Sequence, residues 1–325
     1  MRGRYRITEP LGRGARVFRG VAEASNGPSR DVAIRRMPPN LTKNQRFLAM
    51  MLDDMRASLP LRHANIVEIV DIAKTPDDEY FVVTEYVDGC DLKTLVSRRK
   101  HIRVPQVLQI VVESCKGLAH AHSVDVIHRD VSPRAVLLGA RGEVKLVDFG
   151  LAKVNSQIEA SDPGIVKGKF SYLSPEAASG LDVDHRADVF AAGIVLWELV
   201  AGRRLFLGQT DYQTVELIRE ARVAAIADLD PALDTIIRKA LSRDVAARFR
   251  TAREFGDALE RYALSRDIKL TSSETGMLVG DVKYEVDCER SAQEIDRSRV
   301  ARVQESVSHM VSILDRDTGT PGPWN

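Results

Sequence analysis

The sequence predicts an α+β fold with two lobes, in which a small β-rich N-terminal part precedes a larger helical part. Two observations support this prediction. The first third of the chain alternates short apolar runs with turns, which is typical of strands. From Leu92 onward, long segments repeat apolar residues at three- and four-residue steps, which is typical of helices.

The β-rich part is expected to contain five strands and one helix. The strands are predicted at YRITEPL, VFRGVAEA, DVAIRRM, IVEIVDIA and EYFVVTEYV, and the helix at residues 43–58, between the third and fourth strands. The clearest helical segments that follow are PQVLQIVVESCKGLAHAHS, ADVFAAGIVLWELVAG, TDYQTVELIRE, PALDTIIRKAL and TAREFGDALERYAL. This division predicts lobes over residues 5–87 and 88–264.

Residues 265–325 differ in character from the rest of the chain. The stretch SRDIKLTSSETG is polar and is expected to be a linker. It precedes an apolar stripe at three- and four-residue steps, formed by Val300, Val303, Val307, Met310 and Leu314. The stripe predicts an amphipathic helix, which either packs on its own domain or binds a partner. The last residues, DRDTGTPGPWN, are expected to be disordered.

Composition excludes several classes of protein. The chain has 325 residues, of which 44% are hydrophobic and 29% charged, as in an ordinary soluble globular protein. With 47 basic and 46 acidic side chains the net charge is +1, which gives no case for a nucleic-acid partner. The three cysteines are far apart and have no metal-ligand spacing, which excludes a disulfide framework and a zinc site and predicts a cytoplasmic location.

No membrane span or secretory signal is expected. The most apolar stretch, VFAAGIVLWELVAG, has only 14 residues and contains Glu198. It is too short to cross a bilayer and predicts a buried helix. The basic start of the chain has no apolar core of the kind that signal peptides have.

The stretch VIHRDVSPRAVLLGARGEVKLVDFG presents two carboxylates 18 positions apart, those of Asp130 and Asp148. The same order of motifs runs through LGRGARVFRG, VAIRR, LRHANIV, TEYVDG, LSPE, DVFAAG and AARFRTA. From about Tyr5 to Leu264 the chain thereby resembles the bacterial serine/threonine protein kinases. The resemblance implies a two-lobed kinase fold, ATP and Mg²⁺ as cofactors, and a protein as substrate or partner.

The resemblance also implies roles for individual residues. Asp130 would accept the proton of the substrate hydroxyl, Asp148 would bind Mg²⁺, and Arg35 stands where the family has the lysine that reaches the phosphates. The nucleotide would contact the glycine-rich loop, apolar side chains around the adenine and the backbone between the lobes. These candidate residues are Gly12, Gly14, Val17, Ala33, Arg35, Glu85, Val87 and Leu137.

Four departures from the family pattern weigh against phosphoryl transfer. Ala135, five residues after Asp130, stands where the family has an asparagine that binds the second metal ion, and a methyl group coordinates nothing. Arg35 replaces a compact ammonium by a broad, planar guanidinium. Asp54, nine residues before His63, stands where a glutamate is expected, and we hypothesise that it pairs with Arg35.

The fourth departure lies in the glycine-rich loop. Either this loop is two residues short and lacks its third glycine, or Val17 occupies the third-glycine position. Both alignments reduce the contact of backbone amides with the β- and γ-phosphates. A milder change is Ser132 in place of the catalytic-loop lysine, which removes a cation and leaves the choice between serine/threonine and tyrosine acceptors open.

The residues that hold the family's fold together are present. His128, Phe149 and Asp188 match an internal stack with its anchor, and Glu176 with Arg248 matches a buried ion pair. The activation segment, residues 152–172, contains three serines, Ser156, Ser161 and Ser171. They are either phosphate acceptors, whose phosphate Arg129 would bind, or solvated loop residues.

Three functions remain open at this point. The chain is a pseudokinase or very weak kinase that acts in signalling by binding a protein, an active ATP-dependent serine/threonine kinase, or a scaffold whose C-terminal helix is the working part. The loss of one preorganised charge contact costs roughly 10²–10³ in rate. Four such departures therefore favour the first function.

Overall fold

The computed structural model of the protein describes residues 4–11, 16–23, 28–38, 42, 44–99, 101–152, 170–292, 303–305, 307 and 311–312. The chain divides into two compact units. The N-terminal unit comprises Met1–Leu59, Val67–Val87 and Asp287–Asn325, and the helical unit comprises Pro60–Ile66 and Asp88–Val286. The first unit contains an antiparallel sheet and the second is mostly helical, which confirms the predicted α+β class.

The N-terminal unit is built on one antiparallel sheet and one long helix. Its strands are β1 (Arg4–Leu11), β2 (Val17–Glu23), β3 (Arg30–Arg36), β4 (Ile69–Lys74), β5 (Tyr80–Glu85) and β9 (Val311–Ser312), in the order β1-β2-β3-β5-β4-β9. The helix α1 (Gln45–Ser58) follows β3. It begins after Asn44, whose side chain accepts a hydrogen bond of 3.1 Å from the backbone N–H of Phe47.

The core of this unit lies on one face of the sheet. Its members are Tyr5, Ile7, Phe18, Val32, Ile34, Ala73, Phe81, Val83, Val303 and Val307. In β3, buried Val32 and Ile34 alternate with half-buried Ala33 and Arg35, as the two-residue period of a strand requires. The other face of the sheet therefore carries Ala33 and Arg35.

The other helices of the helical unit pack around one buried helix, α5 (Arg186–Ala201). The helices of this unit are α2 (Leu92–Arg98), α3 (Val104–His122), α4 (Pro175–Ala178), α5 (Arg186–Ala201), α6 (Asp211–Glu220), α7 (Pro231–Ala240), α8 (Ala252–Ser265) and α9 (Ser272–Ala292). A small sheet has the order β6 (Gly89–Asp91), β7 (Val136–Gly139), β8 (Val144–Leu146). Phe190, Ile194 and Trp197 of α5 are fully buried, because this helix is apolar on all sides. No helix in the described ranges is long and apolar enough to cross a membrane.

The sequence predicts a polar linker over SRDIKLTSSETG, residues 265–276. The structure connects α8 to α9 over residues 266–271, but α9 already begins at Ser272, within the predicted linker. Val282, near its middle, is fully buried in the core of the helical unit. Thr275 donates a hydrogen bond of 2.8 Å to Gln109 on α3. Arg99 donates bonds of 2.7 and 3.2 Å to the two carboxylate oxygens of Glu285. Tertiary contacts thus stabilise a helix that its own weak apolar pattern did not indicate.

The apolar stripe over residues 300–314 predicts a single helix, and this prediction is wrong near the end of the stripe. Residues 303–305 are helical, but Val311–Ser312 form β9, which pairs antiparallel with β4. Pairing with a distant strand outweighs the local helical period there. Residues 315–325, for which disorder is predicted, lie outside the described residues.

Candidate active site

The loop between α3 and β7 carries Asp130, and a buried carboxylate holds its backbone. The two oxygens of Asp188 accept hydrogen bonds of 2.8 Å from the backbone N–H groups of His128 and Arg129. Arg129 has a left-handed backbone, with φ of 65°, which is costly for a residue with a side chain. The bonds that these N–H groups donate to Asp188 stabilise that conformation and fix the segment that presents Asp130.

A third contact to Asp188 comes from His122, which sequence reasoning missed. Its Nε2 lies 2.8 Å from Oδ2 of Asp188. The two residues are 66 positions apart, so the local sequence around His122 holds no signal of this contact. Burial alone would raise the pKa of Asp188, but the hydrogen bond from His122 and the nearby His128 outweigh it and hold the pKa below its usual range. Asp188 therefore stays ionised.

His128 connects the catalytic loop to the chain that leads into Asp148. Its Nδ1 accepts a hydrogen bond of 3.3 Å from the N–H of Asp130, and its Nε2 lies 3.0 Å from the carbonyl oxygen of Val147. Its ring packs on Phe149 with centroids 4.5 Å apart. Burial lowers the pKa of His128, and a neutral imidazole protonated at Nε2 satisfies both contacts.

Ala135 lies beside the segment of Asp148. Its carbonyl oxygen accepts a hydrogen bond of 2.9 Å from the N–H of Val147, and its own N–H donates one of 2.9 Å to Ser132. Ala135 is only 3% exposed. Asp148 itself has a left-handed backbone, with φ of 74°, a conformation that aspartate tolerates better than most residues. The backbone of Ala135 is therefore hydrogen-bonded to Val147, the residue immediately before Asp148.

The donor set of this loop does not fit a site with two protein-held metal ions. Magnesium binds oxygen ligands in near-octahedral geometry. Asp148 supplies a carboxylate, but Ala135 supplies only a methyl group. Within the part of the chain that the structure describes, no three His, Cys, Asp or Glu side chains are grouped so that they alone could hold a metal ion.

Several candidate nucleotide-binding residues share the second face of the N-terminal sheet. Val17 lies opposite Arg35, Arg35 opposite Val82, and Ala33 opposite Thr84. Directly opposed residues of antiparallel strands point to the same face. Val17, Ala33 and Arg35 therefore lie together, on the face away from the core.

Glu85 is the last residue of β5, and both its backbone and its side chain form hydrogen bonds with Glu68. Its N–H donates a hydrogen bond of 2.9 Å to the carbonyl oxygen of Glu68, and its side chain accepts one of 2.9 Å from the N–H of Glu68. Val87, two residues further on, is half-buried and is the last residue of its segment in the N-terminal unit. The predicted contact of these two residues with a nucleotide stays a prediction.

Three candidates remain. Leu137 lies in β7 of the helical unit. Gly12 and Gly14 lie outside the described residues, so both alignments of the glycine-rich loop stay predictions.

The activation segment is described only at its ends. Ser156 and Ser161 lie outside the described residues, whereas Ser171 is fully buried and therefore closed to a modifying enzyme in this conformation. Beyond it, Arg248 donates two hydrogen bonds of 2.7 Å to the carboxylate of Glu176. The two side chains are 0% and 8% exposed, which confirms the predicted buried ion pair.

Comparison with known proteins supports the assignment that the motifs suggest. Residues 5–254 match the family model of protein tyrosine and serine/threonine kinases. The chain is 34% identical to the tyrosine-protein kinase MasK of Myxococcus xanthus over 278 aligned positions, which cover 80% of this chain and 43% of that protein. It is 32% identical to the probable serine/threonine-protein kinase PknB of Lactococcus lactis over 257 positions, which cover 77% of this chain and 40% of that protein.

A solved structure agrees with these matches. The kinase domain of Mycobacterium tuberculosis PknI, a point mutant, superposes with a TM-score of 0.62 at 27% identity, covering 80% of this chain and 96% of that one. The chain spans less than half the length of the curated relatives named above. The family match, the order of the motifs and the shared fold together establish that the chain belongs to the family of protein tyrosine and serine/threonine kinases, with bacterial serine/threonine kinases among its relatives.

Proposed function

We propose that the chain is a kinase-family signalling protein with impaired phosphoryl transfer, a pseudokinase or very weak kinase, that acts by binding another protein. One observation carries the proposal. The buried methyl group of Ala135 occupies the position beside the Asp148 segment where the family has a metal-binding amide.

The backbone around Ala135 supports this proposal. Its N–H and carbonyl groups are both used in hydrogen bonds of 2.9 Å, so the position is ordered and closed rather than loosely placed. A methyl group there offers no lone pair to a cation. The phosphates of a bound nucleotide would then lose one of the ions that neutralise their charge.

The change at Arg35 points in the same direction. Arg35 lies on the second face of the N-terminal sheet with Val17 and Ala33. An arginine keeps the charge of the family's lysine, but its guanidinium is broad and planar, whereas the lysine ammonium is a compact point charge. The apolar neighbours still suit a flat ring. We therefore propose that the adenine part of ATP binds and that its phosphates are held poorly.

The intact scaffold supports a role in protein binding. The contacts of Asp188 and the pair formed by Glu176 and Arg248 order the catalytic loop and the end of the activation segment. Such contacts are needed for a defined surface whether or not phosphate is transferred. A kinase fold that serves recognition can therefore have alanine at position 135, in place of the family's metal-binding asparagine, and still form these contacts.

An active serine/threonine kinase is the second candidate. It is favoured by the presence of both Asp130 and Asp148 and by the similarity to the probable serine/threonine-protein kinase PknB. In this case Asp148 would be the only protein ligand of Mg²⁺, and Arg13 or Arg16 of the glycine-rich loop would supply the missing cation. Its acceptor would be a serine, threonine or tyrosine of a protein.

We place the protein in the cytoplasm. Cys90, Cys115 and Cys288 are all free thiols in the structure, which supports a reducing compartment. Burial raises the pKa of the Cys90 thiol to about 12, so this side chain stays protonated and unreactive there.

Ligand-induced changes in melting temperature test the proposal. The full chain is titrated with adenosine and with ATP, each with and without Mg²⁺. We expect the two ligands to raise the melting temperature by similar amounts and Mg²⁺ to add little, because only adenine is bound well. The variant Asp148→Asn serves as the control for metal dependence. A large additional shift with Mg²⁺ and ATP that Asp148→Asn abolishes would favour the active kinase instead.

A further inference from the structure

The segment at residues 303–312 lies beyond the family match, which ends at residue 254, and it is part of the N-terminal unit. Its described residues contact this unit in three ways, at one edge of the sheet, at the other edge and on the face between them. No part of the proposed phosphate chemistry uses these contacts.

The segment contacts β1 and β4, the two outer strands of the sheet that β1 to β5 form. On β1, the backbone N–H of Ile7 donates a hydrogen bond of 2.7 Å to Oε1 of Gln304. On β4, Ala73 and Lys74 pair with Ser312 and Val311 of β9. Unpaired edges are sites at which another chain can add a strand. The chain's own C-terminal segment contacts both edges, through one side-chain hydrogen bond at β1 and a two-residue pairing at β4.

The segment also completes the apolar core of the sheet. Val303 is 6% exposed and Val307 only 1%, and both belong to the cluster that contains Ile7 and Phe18. The sheet curves so far that the hydroxyl of Tyr5 on β1 donates a hydrogen bond of 2.9 Å to Asp71 on β4. The two valines therefore lie on the concave, apolar side of a curved sheet.

The available length of chain agrees with this placement. Gln304 and Val307 are both helical, which advances the chain by about 4.5 Å, and the four residues from Val307 to Val311 reach about 14 Å at most. Five strands span roughly 19 Å from β1 to β4 when a sheet is flat, and less when it curves. Because this sheet curves, one short segment can contact both edges at once.

We propose that the concave face of the N-terminal sheet is a peptide-docking surface whose resident ligand is the chain's own segment 303–312. The surface is defined by Ile7, Phe18, Ala73 and Lys74. It takes a peptide with two β-branched apolar residues four positions apart, a side-chain amide between them and a short extended stretch after them. A partner with this pattern would compete with the resident segment.

The segment is short enough for a partner to replace it. Its contacts in the described part of the chain include two buried valines, one hydrogen bond to Gln304 and a two-residue strand. Its covalent attachment raises its local concentration to about the millimolar range, which compensates for a weak intrinsic affinity. The surface lies on the opposite face of the sheet from Ala33 and Arg35, so exchange does not require the nucleotide face.

Two variants of the full chain test this proposal by amide hydrogen exchange. Val307→Asp places a charge at a buried position and should release the segment. We expect exchange at Ile7 and Lys74 to become roughly tenfold faster or more, with Val32 unchanged. Met277→Asp is the matched control, because Met277 is 74% exposed on α9. It should leave all three amides as in the wild type.

The vacated surface is then probed with a fluorescent peptide of residues 300–315. We expect this peptide to bind Val307→Asp at least about tenfold more tightly than the wild type, whose surface is occupied. A peptide with aspartate at both valine positions should bind neither protein. Wild-type protection of Ile7 and Lys74 in Val307→Asp, or a released segment without peptide binding, overturns the proposal.

If Val307→Asp does not fold, the variant Gln304→Ala tests the proposal in its place. It removes one side-chain acceptor and leaves both valines in place. The proposal expects faster exchange at Ile7 alone, and unchanged exchange at Ile7 overturns it.

Discussion

Asp188 is the residue on which the geometry of the catalytic loop most directly depends. It is only 1% exposed, and its oxygens accept hydrogen bonds from two consecutive backbone N–H groups and lie 2.8 Å from Nε2 of His122. Three partners use most of the acceptor capacity of this buried carboxylate. The left-handed backbone of Arg129 exists because these bonds compensate for its strain.

We expect Asp188→Asn to destabilise the protein by about 2–4 kcal/mol, because an amide has one acceptor oxygen and its NH₂ group would face another donor. Urea unfolding followed by tryptophan fluorescence measures the change. Asp182→Asn, at an exposed position, is the matched control and should stay within about 0.5 kcal/mol of the wild type. Equal stability of the two variants would contradict this role of Asp188.

The pair formed by Glu176 and Arg248 makes stability depend on pH. Burial alone would raise the pKa of Glu176, but hydrogen bonds from Arg248 and its charge outweigh burial and hold the pKa below its usual range. A carboxylate whose pKa is lowered by folding stabilises the protein above its unfolded pKa. That contribution is lost as the pH falls through the folded pKa.

We expect Glu176→Gln to cost about 3–5 kcal/mol at pH 7, because it leaves the Arg248 charge buried without its partner. The cost should shrink as the pH falls from the unfolded pKa of the carboxylate through its lower folded pKa, because protonation of the unfolded wild type comes first and loss of the folded charge follows. Urea unfolding of both proteins between pH 7 and about pH 3 tests this. Glu220→Gln, in an exposed pair with Arg222, should cost under about 1 kcal/mol at any pH. A cost for Glu176→Gln that does not change with pH would refute this linkage.

At the scale of elements, the turn between β7 and β8 packs closely against the start of α9. Gly142 in this turn has a φ of +88°, and a Cβ atom there would lie 1.9 Å from the carbonyl oxygen of Ser272. Gly180 also has a positive φ, +71°, but a Cβ atom there would meet nothing within 4 Å. Alanine substitutions at these two glycines therefore distinguish the cost of backbone strain from the cost of steric overlap.

We expect Gly142→Ala to destabilise the protein more than Gly180→Ala. Both variants carry the strain of a left-handed alanine, about 1–2 kcal/mol, but only Gly142→Ala forces α9 away from the turn. Thermal unfolding gives the difference, and faster amide exchange at the start of α9 locates it. Equal melting temperatures would show that the contact between the turn and α9 contributes nothing.

Local patterns predicted most elements of the chain, because they follow from periodicity alone. The alternation of Val32 and Ile34 with Ala33 and Arg35 predicts β3, and the structure has that strand at Arg30–Arg36. The apolar period after Thr251 predicts a helix, which the structure has at Ala252–Ser265. These elements bury a face that is visible in the sequence.

Elements that depend on distant partners could not be predicted in this way. The helix α9 buries few side chains, among them Val282, and relies on contacts such as that of Thr275 with Gln109. Strand β9 has only two residues and exists through pairing with β4. The contact of His122 with Asp188 joins residues 66 positions apart, so no local pattern indicates it.

At the scale of the whole molecule, the two units are not continuous in sequence. Pro60–Ile66 belongs to the helical unit although it lies between parts of the N-terminal unit, and Asp287–Asn325 returns to the N-terminal unit. The sequence predicts contiguous lobes over residues 5–87 and 88–264, followed by a tail that either packs on its own domain or binds a partner. In the structure the segment 303–312 supplies core and edge contacts to the N-terminal sheet.

Phosphate transfer from γ-labelled ATP tests the central claim most directly. It compares the full chain, Asp130→Asn and the double variant Ala135→Asn/Arg35→Lys, each with Mg²⁺ and serine-, threonine- and tyrosine-containing peptides. The account predicts wild-type transfer within about threefold of Asp130→Asn and a gain of roughly 10² or more in the double variant. Wild-type transfer at about 1–100 s⁻¹, abolished by Asp130→Asn, would contradict it.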